Sequence, residues 1–200
     1  MKNQDTYINE ILKYWYNDNI RYFNEEKWFK NGKKIDKEIY EKFYKVLILA
    51  EKEKLINWNK TKDGFLAHTI LLDQFSRHIY RDTAEAYKND EICINYTDKY
   101  ILCYLNQLKP MEALFALMPY QHSEDICKQN TGIFLLEYLL SKEKTKYGIN
   151  LYKTTLKHQK EHAKLIKKFG RFPKRNKILK IKSTKKELEY IEKSDPNLPY

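Results

Sequence analysis

Hydrophobic side chains recur every three or four positions along most of this chain, and the alternating pattern of a half-buried strand is scarce. That period gathers the apolar residues of each segment onto one stripe of a helix. It predicts an all-α fold of about eight helices in antiparallel pairs. Ile8, Ile11, Leu12 and Trp15 make one stripe over 5–16. Ile39, Phe43, Val46, Leu47 and Ala50 make another on a helix running to about Leu55, after a turn-like stretch at 24–34. Asp36 is placed to accept that helix's first N–H bonds. Asp63 is expected to start a helix to about Tyr80, and Asp90 precedes one at 91–108. Pro110 opens a short helix at 111–118, because a missing N–H costs nothing in a first turn.

Further on, Ser123 precedes a predicted helix from Glu124 to about Leu140, with two acids in the first turn, where the helix dipole favours them. Gly148 separates it from a helix at about 150–169, which Gly170 ends by adopting a left-handed conformation. Thr184 and Glu187 form a T-x-x-E capping box for a last helix to about Lys193. Residues 1–193 are expected to be one domain, with a loose tail at 194–200 that contains two prolines. No fixed-period repeat stands out, although serial helix pairs with short loops are compatible with a degenerate solenoid. Trp15, Trp28 and Trp58 are expected in the core.

Composition sharpens this picture. With 200 residues, 42% of them hydrophobic, and only five Gly and five Pro, the chain suits a compact helical protein. Its longest apolar runs, 46–50 and 133–140, are too short for a bilayer. The first sixteen residues carry charge within the apolar stretch and have no small-residue cleavage site, so a cytoplasmic location is expected. Cys93, Cys103 and Cys127 are odd in number and lack metal-ligand spacing, which predicts reduced, buried thiols. Charge is uneven: residues 141–200 carry 18 Lys and Arg against 6 Asp and Glu, whereas residues 1–140 carry 20 against 21. Such a surface attracts phosphate-rich or acidic partners.

The segment LLDQFSRHIYRDTAEAY, 71–87, begins like a core helix yet holds Asp73, Gln74, Arg77, His78 and Arg81 within nine residues. At helical spacing Asp73, Arg77, Tyr80 and Arg81 share one face, and Gln74 and His78 the adjacent one. Ionic groups are costly to desolvate, so their place beside a core stripe points to a site. MPYQHSED, 118–125, sets His122 and Ser123 at an expected helix start, a natural anion site. FGRFPKRN, 169–176, is an arginine-bearing turn after a helix containing His162.

On these residues the chain resembles a bacterial-type family catalogued as domain of unknown function 924. The resemblance spans nearly the whole chain: Trp15, Trp28-Phe29, Ile35-Asp36, Trp58, Gly64, ILLDQF at 70–75, Arg77, IYR at 79–81, Thr83-Ala84, Asp90, MP at 118–119, HSED at 122–125, Gln129, His162, FGRFP at 169–173, Arg175-Asn176 and Ser183-Thr184. It implies an all-helical, tetratricopeptide-like superhelix. Ser76, His78 and Lys174 stand where the family pattern usually has Pro, Asn and His, and Lys180 stands where it usually has Gly.

A superhelix would bring these motifs onto one concave side. The expectation is therefore a pocket lined by Asp73, His122, Glu124 and His162 as candidate catalytic groups, with Gln74, Arg77, Arg81, Ser123, Arg171, Arg175 and Asn176 as candidate ligand-binding groups. Arginines suit bidentate recognition of phosphate or carboxylate, which makes a small anionic ligand the expected partner. A histidine, His122 or His162, is the best acid or base by its intrinsic pKa, with Asp73 or Glu124 orienting it or acting itself. The other expected class is an RNA- or acidic-peptide-binding scaffold using Lys153, Lys157, Lys160, Lys164, Lys167 and Lys168, which read as spread around their helix. HQKEH at 158–162 matches the inverted zinc-protease pattern, but only 38 residues remain to supply a third ligand, so no metal is expected. S-E-D at 123–125 reads as helix capping rather than as a nucleophile. No phosphate loop, nucleophile elbow or dinucleotide fingerprint appears, and no cofactor is expected.

Overall fold

Segments with a three-to-four apolar repeat are helical in the computed structural model of the protein, which describes residues 4–16, 28 and 32–195. The helices are α1 (Gln4–Tyr16), α2 (Gly32–Glu51), α3 (Lys62–Thr69), α4 (Ser76–Ile79), α5 (Asp90–Tyr104), α6 (Pro110–His122), α7 (Ile126–Lys142), α8 (Lys146–Phe169) and α9 (Lys185–Lys193). A π-helical turn, Ile70–Phe75, joins α3 to α4. Counted as one interrupted rod, α3 to α4 brings the helices among the described residues to eight, and no strand occurs among them.

Several helix starts differ from the sequence expectation. Thr61, not Asp63, caps α3 by accepting the Gly64 N–H at 3.1 Å. Asp125, not Ser123, caps α7 by accepting the Cys127 N–H at 2.7 Å. Thr145 caps α8 by accepting from Gly148, which therefore lies inside the helix. Asp36 sits within α2 rather than at its start. The physical reason is shared: several short polar residues compete near each end, and the cap is the one whose backbone is extended as the helix begins, as at Thr61, Asp125 and Thr145. Pro110 does open α6, Gly170 ends α8 at φ 72°, and Thr184 and Glu187 form their capping box. The turn at 24–31 lies outside the described residues apart from Trp28, as does 196–200 of the expected tail.

The chain forms two compact units, Met1–Arg81 with Glu85–Pro119, and Asp82–Ala84 with Tyr120–Tyr200. In the first, the α1 and α2 stripes are buried around an aromatic cluster. Trp15 lies edge-on to Phe75 at 5.5 Å and to Phe115 at 5.3 Å, and its carbonyl accepts the Trp28 indole N–H at 3.1 Å. Burying each such side chain contributes about 1.5–3 kcal/mol. Trp58 is buried too. In the second unit α7 and α8 pack along each other as a hairpin. Cys93 is buried as expected, but Cys103 and Cys127 are exposed, because each falls on the wet side of its helix. No helix among the described residues is long and apolar enough to cross a membrane.

Candidate functional site

The π turn organises the polar residues of the first unit. Ser76 N–H bonds the Leu71 carbonyl, five residues back, and its hydroxyl donates to the Leu72 carbonyl at 2.5 Å. One residue is thereby inserted into the helical repeat, which turns the side chains after it relative to those before it. Asp73, 1% exposed, keeps its Arg77 partner at 3.4 Å, and Arg77 also donates to Asp90 at 2.7 Å and to the Ala86 carbonyl at 3.2 Å. The guanidinium faces the Tyr87 ring at 5.3 Å. Burial opposes its charge, but Asp90 and Asp73 outweigh that effect and hold Arg77 more firmly protonated than usual. Gln74 donates to Asp73 and to the Met118 sulfur. Burial pushes the nearby Cys93 thiol well above its ordinary range, which removes it as a nucleophile.

Arg81 does not join this group, as the regular helical spacing had predicted. It forks onto Asp36 of α2 through Nε at 2.5 Å and Nη2 at 2.9 Å, and His78 Nδ1 lies 2.8 Å from the same carboxylate. Although burial pushes Asp36 upward, the bonds from Arg81 and His78 draw its pKa below the ordinary value. His78 packs edge-on against Trp15 at 5.9 Å. The predicted single face is thus two clusters, Asp73–Arg77–Asp90 and Asp36–His78–Arg81.

In the second unit, HSED follows the C-terminus of α6 instead of beginning a helix. The last carbonyls of a helix lack partners within it. Here buried side chains supply them. Gln159 Nε2 donates to the Tyr120 carbonyl at 3.5 Å, His162 Nδ1 and Gln129 Nε2 both meet the Gln121 carbonyl at 2.9 Å, Arg175 donates to the His122 carbonyl at 3.1 Å, and Gln129 reaches the Ser123 carbonyl at 2.7 Å. Gln159 also donates to Gln129 Oε1 at 2.6 Å. Glu124 accepts the Phe172 backbone N–H at 2.9 Å and lies 3.7 Å from Arg175, whose guanidinium stacks over the Phe172 ring at 4.5 Å. HSED, Gln129, His162 and FGRFP–Arg175 therefore interlock around one turn.

A carbonyl can only accept, so His162 carries its proton on Nδ1. Burial drives its pKa down to about 4. Arg171 forks onto Glu187 at 2.7 and 3.1 Å, and that pair, with the Thr184 cap, holds the Glu187 carboxyl at about 2. Asn176 donates to the Ser183 hydroxyl at 3.0 Å, and the Ser123 hydroxyl accepts the Asp125 N–H at 3.2 Å. Lys174 donates to the Asp195 carbonyl.

Of the sequence-predicted residues, Asp73, Gln74, Arg77 and Arg81 belong to the first unit, and His122, Ser123, Glu124, His162, Arg171, Arg175 and Asn176 to the second. Within the second, His122, Ser123, Glu124, His162 and Arg175 meet at one turn, while Arg171 and Asn176 tie the FGRFPKRN loop to the segment before α9. Sequence reasoning missed Asp36, Asp90, Glu187 and the glutamines Gln121, Gln129 and Gln159 as partners. The signal was available for the glutamines alone: a Gln on the apolar stripe of an amphipathic helix, as at 129 and 159, must find buried partners. His158 pairs with Glu161 at 3.5 Å on an exposed face while His162 points inward, so HQKEH does not present two histidines together.

The sequence matches the model of the family described as "Bacterial protein of unknown function (DUF924)" over residues 11–195. The chain belongs to that family. No curated protein matches it. A solved protein of unknown function from Agrobacterium tumefaciens is similar at 26% identity, covering 96% of this chain and 100% of that one, with a TM-score of 0.82. Among the motifs that carry the family resemblance, ILLDQF with Arg77 forms the π-turn cluster, and HSED, Gln129, His162 and Arg175 interlock at the end of α6.

Proposed function

We propose that the protein binds a small anion bearing phosphate or carboxylate groups at the His122–Asp125 turn of the second unit, with His122 as the acid or base that acts on it. Electrostatics favours this turn over the π turn. At Arg77 two carboxylates, Asp73 and Asp90, hold the guanidinium at 3.4 and 2.7 Å, whereas Glu124 lies at the looser distance of 3.7 Å from Arg175. His162, with its pKa near 4 and its Nδ1 proton committed to a carbonyl, is a weak base at neutral pH and serves as a wall.

The observation that carries the reading is Gln121. Its side chain is 7% exposed, and its Nε2 donor meets no acceptor among the described residues. Leaving a buried donor without an acceptor costs about 1–3 kcal/mol, and a ligand oxygen would relieve that cost.

The test is thermal unfolding with inorganic phosphate and a panel of phosphorylated and carboxylated metabolites. At a hundred times Kd, a bound anion should raise Tm by roughly 5–10 °C. Gln121→Leu should lose that rise while unfolding no earlier than the wild type without ligand. No rise with any compound, or an equal rise in both proteins, would remove the proposal.

A further inference from the structure

We infer that the outer face of α8 is a binding surface for single-stranded nucleic acid. Lys153, Lys157, Lys160, Lys164 and Lys167 follow one another at steps of four and three residues and are all exposed. At 100° per residue they lie within about 80° of arc along roughly 21 Å of helix. They form a single rail, which corrects the sequence impression of lysines spread around the helix; of the six, only Lys168 strays further. Between the first four lies a shallow groove floored by Leu156 and the lysine stems, with Glu161 as the one acid on its lining.

Acidic residues do little to neutralise this rail. Glu137 holds Lys160 at 2.7 Å, and Glu161 faces His158 at 3.5 Å. No ion pair holds Lys153, Lys157, Lys164 or Lys167 among the described residues. Like charges one helical turn apart repel, and a polyanion laid along them relieves that repulsion while releasing its own counterions.

The second observation is Phe134. It is 67% exposed on α7, one turn before Glu137, and Glu137 touches the middle of the rail. A cationic track beside a bare aromatic face is the combination that holds single strands, the lysines following the phosphates while a base stacks on the ring. A duplex keeps its bases paired and cannot use the ring, and an acidic peptide brings no base to stack. A membrane would require the apolar stripe of α8, and its Tyr152, Ala163 and Ile166 are buried.

The experiment uses the full chain and a labelled 15-residue oligouridine, with binding followed by anisotropy across a salt series. For four to five neutralised phosphates the log–log salt slope should be about −3. Lys157→Glu/Lys164→Glu should weaken binding at least tenfold and flatten the slope by about 1.4. Phe134→Ala should weaken it about tenfold and leave the slope unchanged. All three positions are exposed, so unchanged circular dichroism and Tm are expected. Gln121→Leu should bind the oligonucleotide normally, which separates this surface from the anion site. The inference falls if Phe134→Ala binds like the wild type, or if polyglutamate, duplex RNA or phosphatidylserine vesicles bind as tightly as the single strand.

Discussion

His162 donates its Nδ1–H to the carbonyl of Gln121 at 2.9 Å, bridging α8 to the last turn of α6. The bond fixes the tautomer and takes part in satisfying a helix end that Gln129, Gln159 and Arg175 also serve. Polar residues of the HSED and FGRFP motifs are thus engaged as structure first.

Buried histidines should make stability fall on mild acidification. Burial lowers His162 to about 4, and His68, 1% exposed, likewise to about 4. An unfolded chain protonates both near 6.5, so it takes up protons first, and stability present above pH 6.5 is lost as pH falls toward 4. The loss is on the order of 3 kcal/mol for each histidine. Urea midpoints at pH 7, 5.5 and 4.5 should fall steadily, and His68→Gln should show a visibly shallower slope. A flat profile down to pH 4.5 would contradict the burial argument.

Arg77 should matter to folding through the charge it leaves behind. Arg77→Met strands Asp73 in the interior and should cost about 3 kcal/mol, while Asp73→Asn/Arg77→Met should cost clearly less than the two single changes added together. Denaturant titration of the four proteins closes the cycle, and simple additivity would deny the coupling.

Lys180 sits at φ 56°, in the left-handed region, at the position where the family pattern usually has Gly. A side chain there costs roughly 1 kcal/mol. Lys180→Gly should therefore stabilise by no more than about 0.5 kcal/mol after its greater freedom in the unfolded chain is counted, a gain of at most roughly 1–2 °C in Tm by calorimetry.

Gly64 is required by contact, not by conformation. A Cβ there would lie 2.1 Å from the Trp58 carbonyl oxygen. Gly64→Ala should destabilise by about 3 kcal/mol, read as a lower urea midpoint with an unchanged m-value.

The sequence by itself determined that the chain is helical and which faces of its first helices are buried, though not every helix start. The stripes of α1 and α2, the proline start of α6, the Gly170 stop and the Thr184–Glu187 box all follow from periodicity and local chemistry, which act within a few residues. It also determined which residues were unusual, since ionic Asp73 and Arg77 stand beside a core stripe and arginines crowd the turn at 169–176. What the tertiary structure decided was the partners: Asp36 for Arg81, Asp90 for Arg77, Glu187 for Arg171, and helix-end carbonyls for His162, Gln129 and Gln159. Arg81 parted from Asp73 although their spacing promised a shared face, because α4 ends at Ile79 and Arg81 lies beyond the helix, where it meets Asp36. Local periodicity reports which side of a helix is dry, but a buried charge or amide is completed by whichever group another part of the chain brings to it.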